Sequence, residues 1–184
     1  MFKELQIAKE AVDVSYDDSV KSFPNECCGF LYGTENGEDR FVSKAVPVVN
    51  SKEGDQKRRF EISPFEYMKA EQYALANDLT LLGVYHSHPN HPAIASVHDH
   101  AKAMPYFSYV IVSVMDGEVD DIKSWRLTDD GSKMFEEPVL IGWKLKVESW
   151  KHSSIETLKH WNIETLKHWN IETLKILIIK IIII

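Results

Sequence analysis

At 184 residues, the chain has room for one domain with a sizeable buried core and not for two ordinary ones. Hydrophobic residues at 44% and charged residues at 27% exclude a disordered polymer. The formal charge is −7, and residues 1–150 carry 16 basic against 25 acidic side chains, a surface that repels phosphate backbones and leaves no place for nucleic acid as a partner.

Leu5 to Ala8 reads as a short strand, and residues 9–22 place Ala11, Val12, Tyr16 and Val20 at helical spacing until Pro24 ends the helix. Glu26 to Gly33 is an apolar run closed by glycine, expected as a buried strand followed by a polar turn, with a second strand over Phe41 to Val49. The two cysteines, Cys27 and Cys28, are adjacent, which suits neither an ordinary disulfide nor a Cys-x-x-Cys clamp. Lys3, Glu4, Lys9 and Glu10 interrupt any secretory layout at the N-terminus, so a reducing, cytoplasmic setting is expected.

A charged loop spans 51–59. Ser63, Pro64 and Glu66 then form an N-cap, a first-turn proline and a capping box. The helix they start is expected over 64–79, with Phe65, Met68, Gln72, Leu75, Ala76 and Leu79 on one side. Leu81 to Tyr85 is a strand running into His86-Ser87-His88-Pro89, and Ser96 caps a short helix reaching about Ala103. Ser108 to Met115 is the strongest strand, joined through Asp116-Gly117 to a second over Val119 to Leu127. Helices interleaved with strands around one sheet give an α/β (α+β) domain spanning 1–145.

Residues 146–184 are a low-complexity tail. The octet I-E-T-L-K-H-W-N at 155–162 recurs unchanged at 163–170 and truncated at 171–175, before an Ile-rich end broken by Lys180. A period of eight keeps no helical stripe, and the closing apolar run is well short of the roughly 20 residues that span a bilayer. The tail reads as an extension dispensable for folding, the alternative being a membrane-surface or self-association segment.

The chemistry gathers after the fourth strand. His86 and His88, two apart on an extended segment, point their imidazoles to the same side. Asp99 follows eleven residues later, in the first turn of a helix that the intervening loop can fold back. Two imidazoles and a carboxylate leave a Zn²⁺ ion its fourth position for water, the open arrangement of a catalytic site. Glu26, a charge at the head of an apolar strand, is the candidate general acid/base, and Ser96 is a hydroxyl able to donate to an oxyanion. Cys28 shares Glu26's strand parity and is expected to pack, as is Trp125; His91, His98 and His100 are expected on the surface.

Together these residues spell H-x-H-x7-S-x2-D with an upstream glutamate in P-N-E-C-C-G-F-L-Y-G, a pattern that resembles the JAMM motif of the MPN+ zinc metalloproteases over residues 5 to about 127. The resemblance implies a single MPN-like, cytidine-deaminase-like domain with a central mixed sheet flanked by helices. It also implies zinc at His86, His88 and Asp99, acid/base catalysis by Glu26, and oxyanion assistance from Ser96. The implied activity is hydrolysis of the peptide or isopeptide bond after the C-terminal tail of a ubiquitin-like, β-grasp or sulfur-carrier protein, which pairs with the enzyme as an added strand. The alternative is a non-catalytic scaffold of the same fold with a structural zinc. One departure from the family pattern is Ala95, where proline commonly precedes the motif serine, and this bears on how the loop is held rigid.

Overall fold

The computed structural model describes residues 4–142, so the repeat-bearing tail lies outside the described residues. The chain runs β1 (Leu5–Ile7), α1 (Lys9–Ser22), β2 (Cys28–Asn36), β3 (Asp39–Val48), α2 (Pro64–Ala76), β4 (Thr80–Pro89), α3 (Val97–Lys102), β5 (Ser108–Met115), β6 (Glu118–Leu127), β7 (Met134–Glu137) and β8 (Val139–Ile141). This is the mixed sheet with flanking helices that the sequence leads one to expect. Strand β2 overruns its expected end, because the turn is only Gly37-Glu38 and the polar residues before it still pair with β3. Gly37 has φ 63°, a conformation that favours glycine. Neither β7 nor β8 is signalled by hydrophobic periodicity.

One eight-stranded sheet has the order β7-β6-β5-β4-β2-β3-β1-β8. Its two edge strands are separated in sequence by Pro138 alone, so the sheet curls until its edges meet, and the Leu5 N–H donates to the Pro138 carbonyl at 2.8 Å across that corner. β4 lies between β2 (antiparallel) and β5 (parallel), and every residue from Leu81 to His88 is buried. A central strand with both faces covered reads as a continuous apolar run. Here that run ends in three buried polar residues.

Each face of the sheet carries one core. α1 covers Leu5, Ile7, Leu31, Val42, Leu82 and Tyr85 by turning Ala11, Val12, Ser15 and Ser19 inward. The two serines bond back to the carbonyls of Val12 and Ser15, so their hydroxyls enter the core satisfied. α2 covers Phe30, Tyr32, Leu81 and Val84. Its inner face is not the expected one: Ala70 and Ala74 are buried, whereas Phe65, Met68 and Leu75 are 58%, 48% and 86% exposed. Small alanines let the helix lie close to the sheet, and Tyr67 and Tyr73 set their rings edge-on against Phe30 and Tyr32 at centroid distances of 5.1 and 5.0 Å. The helix stops at Ala76 because Asn77 and left-handed Asp78 (φ 54°) turn the chain toward β4. Among the described residues, no helix is long and apolar enough to cross a membrane.

Candidate metal centre

The period-two geometry of β4 places both rings on one side of the strand, with His86 Nε2 3.1 Å from His88 Nε2. The α3 N-terminus brings Asp99 to the same point, its carboxylate oxygens 3.5 Å from His86 Nε2 and 3.6 Å from His88 Nε2. All three side chains are buried. Among the described residues this is the only histidine, cysteine and carboxylate grouping tight enough to hold a metal ion. Cys28 packs in the α2 core, and neither His91, His98 nor His100 joins the cluster.

Each of the three is oriented by a second residue. His88 Nδ1 donates to the Pro92 carbonyl at 2.9 Å, so its Nε2 carries the lone pair. Ser96 and Asp99 form a reciprocal capping box: the Ser96 N–H donates to Asp99 Oδ2 at 2.7 Å, and the Asp99 N–H donates to Ser96 Oγ. The serine between His88 and Asp99 in sequence thus aims the aspartate, a role its spacing already encodes as S-x-x-D. His86 lies stacked on Phe60 at 4.4 Å, and its Nδ1 is buried with no hydrogen-bond partner. If Nδ1 carries the proton, two Nε2 lone pairs face each other; if Nε2 carries it, a buried Nδ1 lone pair goes unanswered. A cation seated among the two Nε2 atoms and the carboxylate resolves the first arrangement, so the donor set fits a metal ion.

Electrostatics point the same way. Burial holds the His86 ring at a pKa of about 3, keeping it neutral. Burial also works against protonation of His88, but the Asp99 carboxylate and the Pro92 carbonyl outweigh it and raise that ring. Burial tends to raise Asp99, yet His88, His86 and Ser96 together hold it well below the ordinary carboxylate range. Glu26 lies just ahead of β2 rather than within it, and burial pushes its carboxyl up to about 7. The strongest opposing influence is the charge of His88.

Glu26 is placed by its backbone. Its N–H donates to the Gln56 carbonyl at 2.7 Å, and its carbonyl accepts from the Asn50 side chain at 3.0 Å. The next residue, Cys27, donates its N–H at 2.9 Å to Ser87 Oγ, the hydroxyl between the two histidines. Ser87 therefore couples the histidine strand to the glutamate segment. Its one mark in the sequence is its place between the two histidines of an otherwise apolar strand.

The loop from Asn90 to Ala95 has alanine and not proline immediately before Ser96, and is held rigid by other means. Three successive carbonyls, those of His91, Pro92 and Ala93, accept from Ser113 Oγ, His88 Nδ1 and Trp125 Nε1 at 2.8, 2.9 and 3.0 Å. Trp125 is thus more than a packing residue. The cluster opens into a cleft of about 310 Å³, lined by Lys57, Arg58 and Arg59 and by Pro92, Ile94 and Val97, together with Glu26, His88, Ser96 and Asp99.

A family model of the prokaryotic homologs of the JAB domain matches residues 8–128. The chain belongs to this family. Among curated relatives, it is 30% identical over 126 residues to a protein of Pyrococcus furiosus named desampylase, covering 66% of this chain and 80% of that one. It is 29% identical over 136 residues to a Mycobacterium tuberculosis protein named CysO-cysteine peptidase, covering 73% and 89%. Solution structures from Desulfitobacterium hafniense and Salinibacter ruber align with TM-scores of 0.67 and 0.60 at 28% and 34% identity. They cover 78% and 74% of this chain, and 96% and 91% of their own.

Proposed function

We propose that the chain is a zinc-dependent peptidase or isopeptidase that cleaves the bond after the C-terminal tail of a ubiquitin-like, β-grasp or sulfur-carrier protein. His86, His88 and Asp99 hold the metal. The observation that carries this reading is the convergence of two buried imidazole nitrogens and a carboxylate beside a buried Glu26 whose pKa lies near neutrality. Support for the substrate comes from the names of the relatives, desampylase and CysO-cysteine peptidase. Zinc bound there acts as a Lewis acid and lowers the pKa of water to about 7, so that hydroxide is available at neutral pH.

The remaining steps belong to the chain's own residues. Glu26 accepts a proton from the attacking water and returns it to the departing amine nitrogen; a carboxyl titrating near neutrality serves both directions. Ser96 Oγ already accepts the Asp99 N–H, which leaves its O–H free to donate to the carbonyl oxygen as that oxygen gains charge. The His86 ring, neutral and stacked on Phe60, and the His88 ring, locked by the Pro92 carbonyl, need no reorganisation. The free, buried cysteines suit a reducing cytoplasm.

The test is a β-grasp protein from the same genome bearing a C-terminal extension, incubated with the zinc-loaded and the chelator-stripped protein and followed by intact mass. Cleavage after the terminal glycine by the zinc form alone is expected. No cleavage of any such fusion, despite stoichiometric zinc, overturns the reading.

A further inference from the structure

We infer that the leaving-group side of the cleft recognises a free carboxylate, so that the preferred substrate carries a C-terminal amino acid or short peptide rather than a lysine side chain of a second protein. The inference rests on the hydrolytic reading and sharpens its substrate.

Three consecutive cations, Lys57, Arg58 and Arg59, line the cleft in a domain that is otherwise acidic. Among the described residues, none of them has a carboxylate within ion-pair distance, in contrast to Lys52 of the same loop, which reaches Glu61 at 3.7 Å. The acidic residues of that loop, Glu53 and Asp55, do not line the cleft. Lys57 and Arg58 are exposed and Arg59 is half-buried. Arg59 Nη1 donates to the Arg58 carbonyl, but neither guanidinium has an acidic partner among the described residues; such groups lining a cleft are anion receptors, and Arg in particular matches the fork of a carboxylate.

The loop that carries them is fixed to the acid/base residue. Asn50 donates from one side-chain amide to both the Glu26 and Arg59 carbonyls at 3.0 and 3.1 Å, while its oxygen accepts the N–H groups of Lys52 and Glu61. Gln56 donates to the Asn50 and Lys52 carbonyls and accepts the Glu26 N–H through its own. Arg59 is close enough that its charge works against protonation of Glu26.

The side of the cleft follows from the chemistry. Hydrolysis breaks the C–N bond, adds the water oxygen to the acyl carbon and leaves the proton on the departing nitrogen. Glu26 delivers that proton, so the departing nitrogen lies against Glu26. In an α-amino acid the carboxylate is one carbon removed from that nitrogen, which puts it at the Arg58-Arg59 wall. A lysine joined through its Nζ brings an aliphatic stem there instead, with nothing for the guanidiniums to bind.

The experiment compares one β-grasp protein ending in Gly-Gly-Ala as the free acid with the same protein ending in alaninamide, using zinc-loaded enzyme and an Arg58→Ala/Arg59→Ala variant matched for zinc content. The wild type should favour the acid at least tenfold in kcat/KM, and the ratio should fall to near 1 in the variant. Any influence of Arg59 on Glu26 acts on both substrates and cancels in the ratio. Equal rates with the wild type, or a preference that survives both substitutions, overturns the inference and leaves hydrolysis standing. Failure to cleave either form overturns the hydrolytic reading and this one with it.

Discussion

Two buried charged clusters sit toward opposite ends of β4. Near its start, the Arg40 guanidinium donates to Glu35, Ser108 Oγ and the Leu82 carbonyl at 2.9, 2.7 and 2.7 Å, and Ser108 and Ser124 both donate to Glu137 Oε2 at 2.7 and 2.8 Å. Near its finish stand His86, His88 and Asp99 with Glu26. Arg40 and Glu137 are as inaccessible as His86. The difference lies in satisfaction: the first cluster answers its groups within the protein, whereas the second sets two imidazole nitrogens and a carboxylate face to face and raises a glutamate to about 7. Burial with completed hydrogen bonds marks architecture, and burial without them marks a site awaiting a ligand.

The largest separation between the clusters should come from metal content. His88→Ala is expected to lose stoichiometric zinc by elemental analysis and to bring turnover down to that of the chelated protein. Glu26→Gln should keep the zinc and lose roughly 10²- to 10⁴-fold in kcat, the usual share of general acid–base catalysis. Arg40→Ala removes the donor to Glu35, Ser108 Oγ and the Leu82 carbonyl and, at about 1 kcal/mol for each lost hydrogen bond, should cost about 3 kcal/mol in denaturant unfolding, with the zinc content of the folded protein unchanged.

A smaller effect tests the strain at Glu26 itself. In the chelated protein the folded chain holds the Glu26 proton up to about pH 7, while an unfolded glutamate releases it near 4.5. The native state therefore binds more protons between those values, and its stability falls as the pH rises through them. Glu26→Gln removes that loss. Above pH 7 it should be more stable than the wild type by about 2–3 kcal/mol, an advantage that fades below about pH 4.5 in chelator-treated urea melts. Smallest of all, Ser87→Ala leaves the Cys27 N–H without its acceptor and should cost about 1–2 kcal/mol, with a several-fold fall in kcat as the Glu26 segment loosens.

The second cluster was far more legible in the sequence than the first. His86, His88, Ser96 and Asp99 fall within fourteen residues, where strand and helix periods convert spacing directly into direction. Arg40, Ser108 and Glu137 are scattered over three strands, and only the curl of the sheet brings them together. The carbonyls holding the Asn90–Ala95 loop are equally hidden, because backbone acceptors leave no trace in residue type. The inner face of α2 departs from the periodic pattern for another reason: periodicity weighs large apolar side chains, but close approach of helix to sheet selects alanine, with tyrosines packed around it.

What distinguishes the two clusters in the end is a donor set that fits a metal at one of them and the chemistry placed beside it. The most direct test is to measure zinc content and cleavage of a β-grasp fusion on the same preparations of wild type and Glu26→Gln. One zinc per chain in both, with turnover at least a hundredfold lower in the variant, is the predicted result. Wild-type turnover in Glu26→Gln, or full activity in zinc-free wild type, contradicts it.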